Sequence, residues 1–390
     1  MLTTLITFLI VLSVLVLVHE LGHFIVAKKT GIKVEEFGFG LPPQLWSKKI
    51  GGTYYSINAL PIGGFVKLYG EDEEPASKKS SAKDAYFSKP KRVRFAVVVA
   101  GVLMNFLLAI LIFSAVYTKL GIPVKTDTVR IVDVSPKSPA ETAGLSVGDV
   151  IISVNGQKID DTEKFSKIVK ELAGKEISLE IQRKNSPCQN NVLGAAPGIV
   201  VSCKGENMLL SIIPRVSPPP DEGPLGVVIS QTEMKFYPPP EQIFFGTIEG
   251  FKEALSWTSL ILSSLRTMVY QLFVQGTVPQ DIAGPVGIFQ VTGIVAKTGI
   301  LSVLQFLAIL SVNLAVVNIL PLPALDGGRV LFIVIEAVTR KRVQAHIERW
   351  VHNVGMIILL FLILLITIND VSRIIQTSGI ISRIKSALPF

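Results

Sequence analysis

Four stretches of this chain are long and apolar enough to cross ~30 Å of hydrocarbon, and no other feature narrows its fold so far. They are roughly Leu5–Ala27, Phe95–Leu120, Ile300–Leu320 and Val351–Ile368. In lipid a backbone must satisfy its own hydrogen bonds, so each is expected to be a helix. A mean hydropathy of +0.51 and a charged share of 17% agree with several spans. The net charge of +8 raises nucleic acid as a partner. The basic residues cluster beside the apolar segments, however, and no nucleic-acid-binding motif is present, so none is expected. Leu2–Val18 lacks the basic start and small-residue cleavage site of a signal peptide and continues past His23, which predicts a retained span.

Between the first two spans, Gly31–Gly70 alternates aromatic, β-branched and glycine residues (FGFGLPP, then TYYSINALPIGGFVKLYG), a pattern of short strands and turns. A polar, basic loop follows from Glu71 to Arg94. The long insert after the second span reads as soluble over Val129–Lys184: short strands, a Gly148–Asp149 turn and an amphipathic helix near Thr162–Leu172. The Pro-rich SPPPDEGP precedes a strand at Leu225–Ser230, and YPPP ends the insert at Pro240. Lys252, Glu253 and Arg266 interrupt Ile243–Phe273, predicting a helix at the membrane interface rather than a span. The expected divisions are 1–124 (two spans and the hairpin), 125–232 (the soluble insert), 233–298 (linker and interfacial helix) and 299–390 (two further spans).

Lys28, Lys29, Lys89, Lys91, Arg92 and Arg94 lie between spans one and two, and Arg340, Lys341 and Arg342 between spans three and four. Both loops are therefore predicted to be cytoplasmic, with the insert and the termini opposite. Arg373, Arg383 and Lys385 weaken that bias without reversing it. Cys188 and Cys203 fall in an insertion on the predicted non-cytoplasmic side. A disulfide is permitted there, and two free thiols are equally open.

Residues 18–24 read VHELGHF. His19 and His23 stand at i and i+4, so one helical face presents two imidazoles for zinc, with Glu20 beside them as general base. Histidines capping the helix at the interface are the plain alternative, but that leaves Glu20 unexplained. Ionisable residues inside a span are costly and mark function by default. Asp326, in NILPLPALDGGR at the end of span three, is the candidate third ligand. His19 lies two-thirds or more of the way across its span at ~1.5 Å per residue, and Asp326 reaches the same depth only if the insert and Ile243–Phe273 make no net crossing. Asn313 and Asn318 are expected to face the same region, bonding substrate or merely neighbouring helices.

HELGH, PIGGFVKLYGE and NILPLPALDGG together resemble the site-2 protease family, in particular the bacterial regulator-of-sigma-E type. The insert's VDVSPKSPAETAGLSVGDVIISVNGQKI resembles a PDZ domain of the bacterial protease type. The resemblance implies an α-helical multi-pass membrane protein with four transmembrane helices, a membrane-associated β-hairpin region and a single inserted α+β PDZ domain. It implies zinc on His19, His23 and Asp326, Glu20 as the catalytic carboxylate, and Gly63, Gly64 and Phe65 in an element that holds extended substrate. Leu225, Gly226 and Val227 are the candidate PDZ groove, which either grips a peptide or serves only as a size filter. The implied substrates are single-span membrane proteins already trimmed by an upstream site-1 protease, anti-sigma factors and signal-peptide remnants among them. The implied setting is the bacterial inner membrane, with the PDZ domain extracytoplasmic and the active site near the cytoplasmic face. AGVLMN in the second span carries Val102 where the family has proline, while Asn105 matches. Two rivals remain: a zinc hydrolase of a non-peptide lipid or small molecule, and a non-enzymatic PDZ scaffold.

Overall fold

The computed structural model describes residues 1–71, 82–183, 201–204, 207–219, 222–275 and 284–377. Cys188, Arg383 and Lys385, and the side chain of Cys203, lie outside the described residues. The chain divides into two compact units, one of residues 1–120 with 238–390, the other of residues 121–237.

In the first unit, four helices are apolar and long enough to cross a membrane: Leu2–Lys29, Lys91–Leu120, Ile300–Ile319 and His346–Ser372. They belong to α1 (Leu2–Lys29), α2 (Lys91–Leu120), α7 (Ile300–Ile319) and α9 (Ala345–Thr377). Shorter helices join them: α6 (Pro285–Thr298) before α7, and α8 (Asp326–Thr339) after it. Val11 and Leu15 of α1 meet Ala109, Ile112 and Phe113 of α2 and Ala308 and Val312 of α7 in one buried cluster. The remaining faces leave large apolar side chains exposed, as lipid-facing helices do.

Ile243–Phe273 departs from the expectation of an interfacial helix. It forms most of α5 (Glu241–Tyr270), which runs lengthwise and antiparallel along α2. Gln242 donates to the Tyr117 carbonyl at 3.1 Å, and Gly250 packs against Ser114 so closely that a Cβ would lie 2.4 Å from its backbone nitrogen. Farther along, Trp257, Ile261 and Leu265 pack on the cluster shared by α1, α2 and α7. Two of the three charges that suggested an interface have local partners: Lys252 meets Glu249 at 3.0 Å, and Glu253 accepts from the Trp257 indole at 3.0 Å, while Arg266 is exposed. The chain then returns to the N-terminal end of α1, where Gly293 of α6 lies beside Thr4 and Phe289 stacks edge-on with Phe8 at 5.5 Å. Helix α7 therefore starts at that end and finishes level with His19.

Strands β1 (Val34–Ile50) and β2 (Thr53–Leu68) form the hairpin, turning at Gly51–Gly52. They pair antiparallel, but the register is more elaborate than one ribbon. Residues 34–39 pair with 64–68 on one side, and on the other Glu36–Tyr54 through Phe39–Ile57 rise together. The outer half of β1, 44–50, then covers 53–58. The result is four lanes in which 64–68 is an outer one.

The second unit holds β3 (Ile122–Val134), α3 (Pro139–Thr142), β4 (Val150–Val154), β5 (Gln157–Lys158), α4 (Thr162–Glu171), β6 (Ile177–Gln182), β7 (Val201–Lys204), β8 (Asn207–Ile212) and β9 (Val227–Lys235). The sheet order is β7-β8-β6-β4-β3-β9, with β5 on β4. Alternating residues of β3, β4, β6 and β8 point into one core, closed by Phe165 and Val169 of α4. Ser138 caps α3 by accepting from the Glu141 amide, and Asp161 caps α4 through the Glu163 amide. Gly250→Leu should force α5 away from Ser114 and destabilise the protein by about 1–3 kcal/mol, read as a lowered thermal midpoint in detergent.

Candidate metal centre

His19 and His23, one turn apart on α1, bring their Nε2 atoms to 3.2 Å. Pro321 and Pro323 end α7 and turn the chain, and Asp326 opens α8 directly opposite. Its Oδ2 lies 3.0 Å from His19 Nε2 and 3.2 Å from His23 Nε2. The turn is tight enough that a Cβ on Gly327 would fall 2.0 Å from the Leu320 carbonyl oxygen.

These three atoms are all acceptors facing one point. The His23 Nδ1 donates to the Val97 carbonyl at 2.8 Å, so a neutral ring carries a bare lone pair on Nε2. Asp326 Oδ2 is buried and receives no hydrogen bond. His19 Nδ1 lies 3.2 Å from Asn105 Nδ2, whose own Oδ1 is buried without a partner. Turning that amide over lets Oδ1 accept from Nδ1–H and frees His19 Nε2 as well. Converging lone pairs repel one another unless a cation lies between them. Tetrahedral zinc, with bonds of ~2.0–2.1 Å, asks for ligand atoms roughly 3.3 Å apart, close to the observed triangle. The donor set therefore fits zinc.

Helix α2 leaves room for the centre. A Cβ on Gly101 would lie 2.4 Å from His23 Nε2 and 2.8 Å from His19 Cε1. Gly101 and Asn105 are i and i+4, so one α2 face supplies both the space and the hydrogen bond.

Glu20 shares a cavity of about 240 Å³ with the three candidate ligands. Its carboxylate takes a hydrogen bond from the Val66 backbone, and a Cβ on Gly64 would lie 3.8 Å from its Cγ. Phe65 lines the cavity, while Gly63 sits beside Val16. Asn318 reaches to 3.5 Å from His19 Nε2. Asn313 does not join it, contrary to expectation, and is exposed. Five residues of helix turn roughly 140° beyond one full revolution, so the two amides cannot share a face. Leu225, Gly226 and Val227 line a separate groove of the second unit, described below.

Sequence reasoning gave no role to Gly101, Tyr86, Arg329 or His352, though the last three line the same cavity. The i, i+4 spacing of Gly101 and Asn105 was the one local signal available. Gly101→Ala should lower zinc affinity roughly 10–100-fold, measured by metal analysis after dialysis against a graded chelator.

Comparison with known proteins meets this geometry. The model for peptidase family M50 matches residues 7–362. A Clostridium perfringens protein whose name places it among zinc metalloproteases is 35% identical over 363 residues, covering 93% of this chain and 97% of that one. The zinc metalloprotease RasP of Geobacillus kaustophilus is 30% identical over 447 residues, covering 95% of this chain and 98% of its own. RasP of Oceanobacillus iheyensis is 29% identical over 450 residues, at 95% and 99%. With its metal-ligand cluster, its membrane helices and these relatives, the chain belongs to peptidase family M50, the site-2 protease family of zinc metalloproteases.

Proposed function

We propose that this metalloprotease cuts single-span membrane proteins within or beside their transmembrane segment. The observation that carries this reading is the free edge of the hairpin sheet. Residues 64–68 pair with 34–39 on one side only. Among the described residues no strand covers the other side, which meets Glu20 through Val66 and Gly64. A transmembrane helix hides its carbonyls in its own hydrogen bonds. Unwound and added to this edge, the same segment presents them in an extended line.

On this reading His19, His23 and Asp326 hold the zinc. Bound zinc supplies Lewis acidity, polarising the scissile carbonyl and acidifying water. Glu20 takes the proton of the attacking water as its oxygen joins the carbonyl carbon, and delivers that proton to the nitrogen as the C–N bond breaks. Gly63 and Gly64 let substrate approach the edge closely, Phe65 supports it, and Asn318 bonds its backbone.

The second unit acts as a PDZ-type module. Its groove, about 580 Å³, runs between α4 and β9, walled by Phe165, Val169, Leu225, Val227 and Ile229. We favour a size filter that excludes folded ectodomains over a peptide grip. Gly226 is unsuited to testing this, since a Cβ there would lie 2.4 Å from Ser138 Cβ. The proposed setting is the bacterial inner membrane, with the module extracytoplasmic, the metal centre toward the cytoplasm, and substrates such as anti-sigma factors or signal-peptide remnants trimmed first by an upstream site-1 protease.

Glu20→Gln should keep its zinc and lose at least about 10²-fold in turnover of a reconstituted single-span substrate. Mass spectrometry of the wild-type fragments should place the cut in or next to the span. Ser166→Trp, which plugs the exposed groove, should leave that cleavage unchanged, whereas a folded domain fused to the substrate ectodomain should block it.

A further inference from the structure

The lane that would carry substrate is tied to both helices that bear the candidate ligands. At one end, Ser13 of α1 donates to the Pro61 carbonyl at 2.8 Å. Midway, the Val66 backbone bonds the Glu20 carboxylate. At the other end, Arg329 of α8 donates through Nη1 to Glu71 Oε1. Glu71 reaches that point because the chain turns back directly after β2. Gly70 takes a φ of +70°, and the Glu71 amide donates to the Leu68 carbonyl at 3.3 Å. Tyr69 is fixed beside it, donating to the Lys33 carbonyl and accepting from the Tyr86 amide, both at 2.9 Å. Arg329 follows Asp326 at i+3 on α8, so the two share a helix face. Arg329 and Glu71 both line the cavity that holds His19, His23 and Asp326.

Val66 and Leu68 of the lane already share an apolar cluster with Val330 and Ile333 of α8. Apolar contact resists separation but has no direction, so by itself it leaves the strand free to slide along the helix. An ion pair is directional, and this one is largely withdrawn from water, with the Glu71 side chain 13% exposed and that of Arg329 31%. Salt and solvent screen it little there. Sliding matters because one residue of strand covers ~3.3 Å, whereas a misplacement of ~1 Å costs the chemistry about 10²-fold.

We infer that Arg329 and Glu71 are positioning residues that set which peptide bond of an edge-bound substrate comes opposite the metal centre. The pair fixes the end of the pairing lane to the helix that delivers Asp326. It transfers no proton and touches no reacting atom. A substrate paired with the lane moves with it, so the clasp that stops the lane from sliding also selects the carbonyl presented to Glu20.

This inference rests on the proteolytic reading above, and the two fail separately. The test uses the full chain in detergent with a single-span substrate, and reads the cut positions by mass spectrometry. Arg329→Gln and Glu71→Gln should each keep one zinc per chain and hold KM within about twofold, because the pairing edge remains. Each should spread the cut from one bond over neighbouring bonds, with kcat at the original bond falling about 10–100-fold. Exchanging the charges, Arg329→Glu together with Glu71→Arg, should narrow the cut to the single bond again. A readout without catalysis uses metal-free protein and a substrate carrying a photoreactive residue at successive positions. Cross-linking to α1 should come from one position in the wild type and from several in either single variant. A pair that only stabilised the fold would lower the thermal midpoint and leave both the cut and the cross-link where they were. Unchanged cut positions in both single variants, loss of zinc, or failure of the exchanged pair to narrow the cut would each overturn the role. If Glu20→Gln retains turnover, the proteolytic reading fails first. If Glu20→Gln is dead and Arg329→Gln cuts the same bond at the wild-type rate, only this inference falls.

Discussion

Three acceptor atoms from two helices point at one spot inside an apolar bundle, and much of the molecule serves to keep them there. His19 and His23 come from α1 and Asp326 from α8, with separations of 3.0–3.2 Å. Polar groups at such depth are tolerated only when paired or bound to a cation. The second layer follows from that need. Val97 and Asn105 orient the rings, Gly101 keeps α2 out of the way, and Gly327 allows the chain to turn sharply before α8.

A second charged contact holds α8 in place from its far end. Arg94 of α2 and Glu336 of α8 form an ion pair that is almost wholly buried. Glu336 also accepts from the Val343 amide at 3.1 Å, and its backbone carbonyl takes a bond from Lys91. A buried pair is weak evidence for net stability, since both ions lose their water, but removing one partner leaves a stranded charge. Its value here is geometric: α8 is pinned to α2 at one end and aligned with α1 through Asp326 at the other.

The hairpin adds a directional element beside this centre. Two continuous strands produce four lanes because 34–39 lies between 64–68 and 54–57. Among the described residues no strand pairs with the outermost lane toward Glu20, and an open edge is ordinarily an aggregation liability. On the function proposed above, that same edge is where a substrate that has given up its helical hydrogen bonds would pair.

Much of this was legible in the chain itself. Four spans followed from hydropathy, because lipid permits few other structures for such segments. The pairing of His19 with His23 followed from helical spacing, and Asp326 from an acidic residue after helix-breaking prolines at a matching depth. Other features depended on packing and carry no local signature. Helix α5 looked interfacial because its charges break the apolar run, yet Gly246 and Gly250 bring it flush against α2. Arg94 read as one of several loop cations and proved to be a buried partner of Glu336. Asn313 and Asn318 looked like a pair, and helical rotation sent them apart. Residue type and spacing set which elements form and which side chains share a face, since those depend on the nearest few residues. Which faces meet, and so the placing of Gly101, Asn105, Arg329 and His352 about the metal centre, was decided only by tertiary packing between segments hundreds of residues apart in the chain.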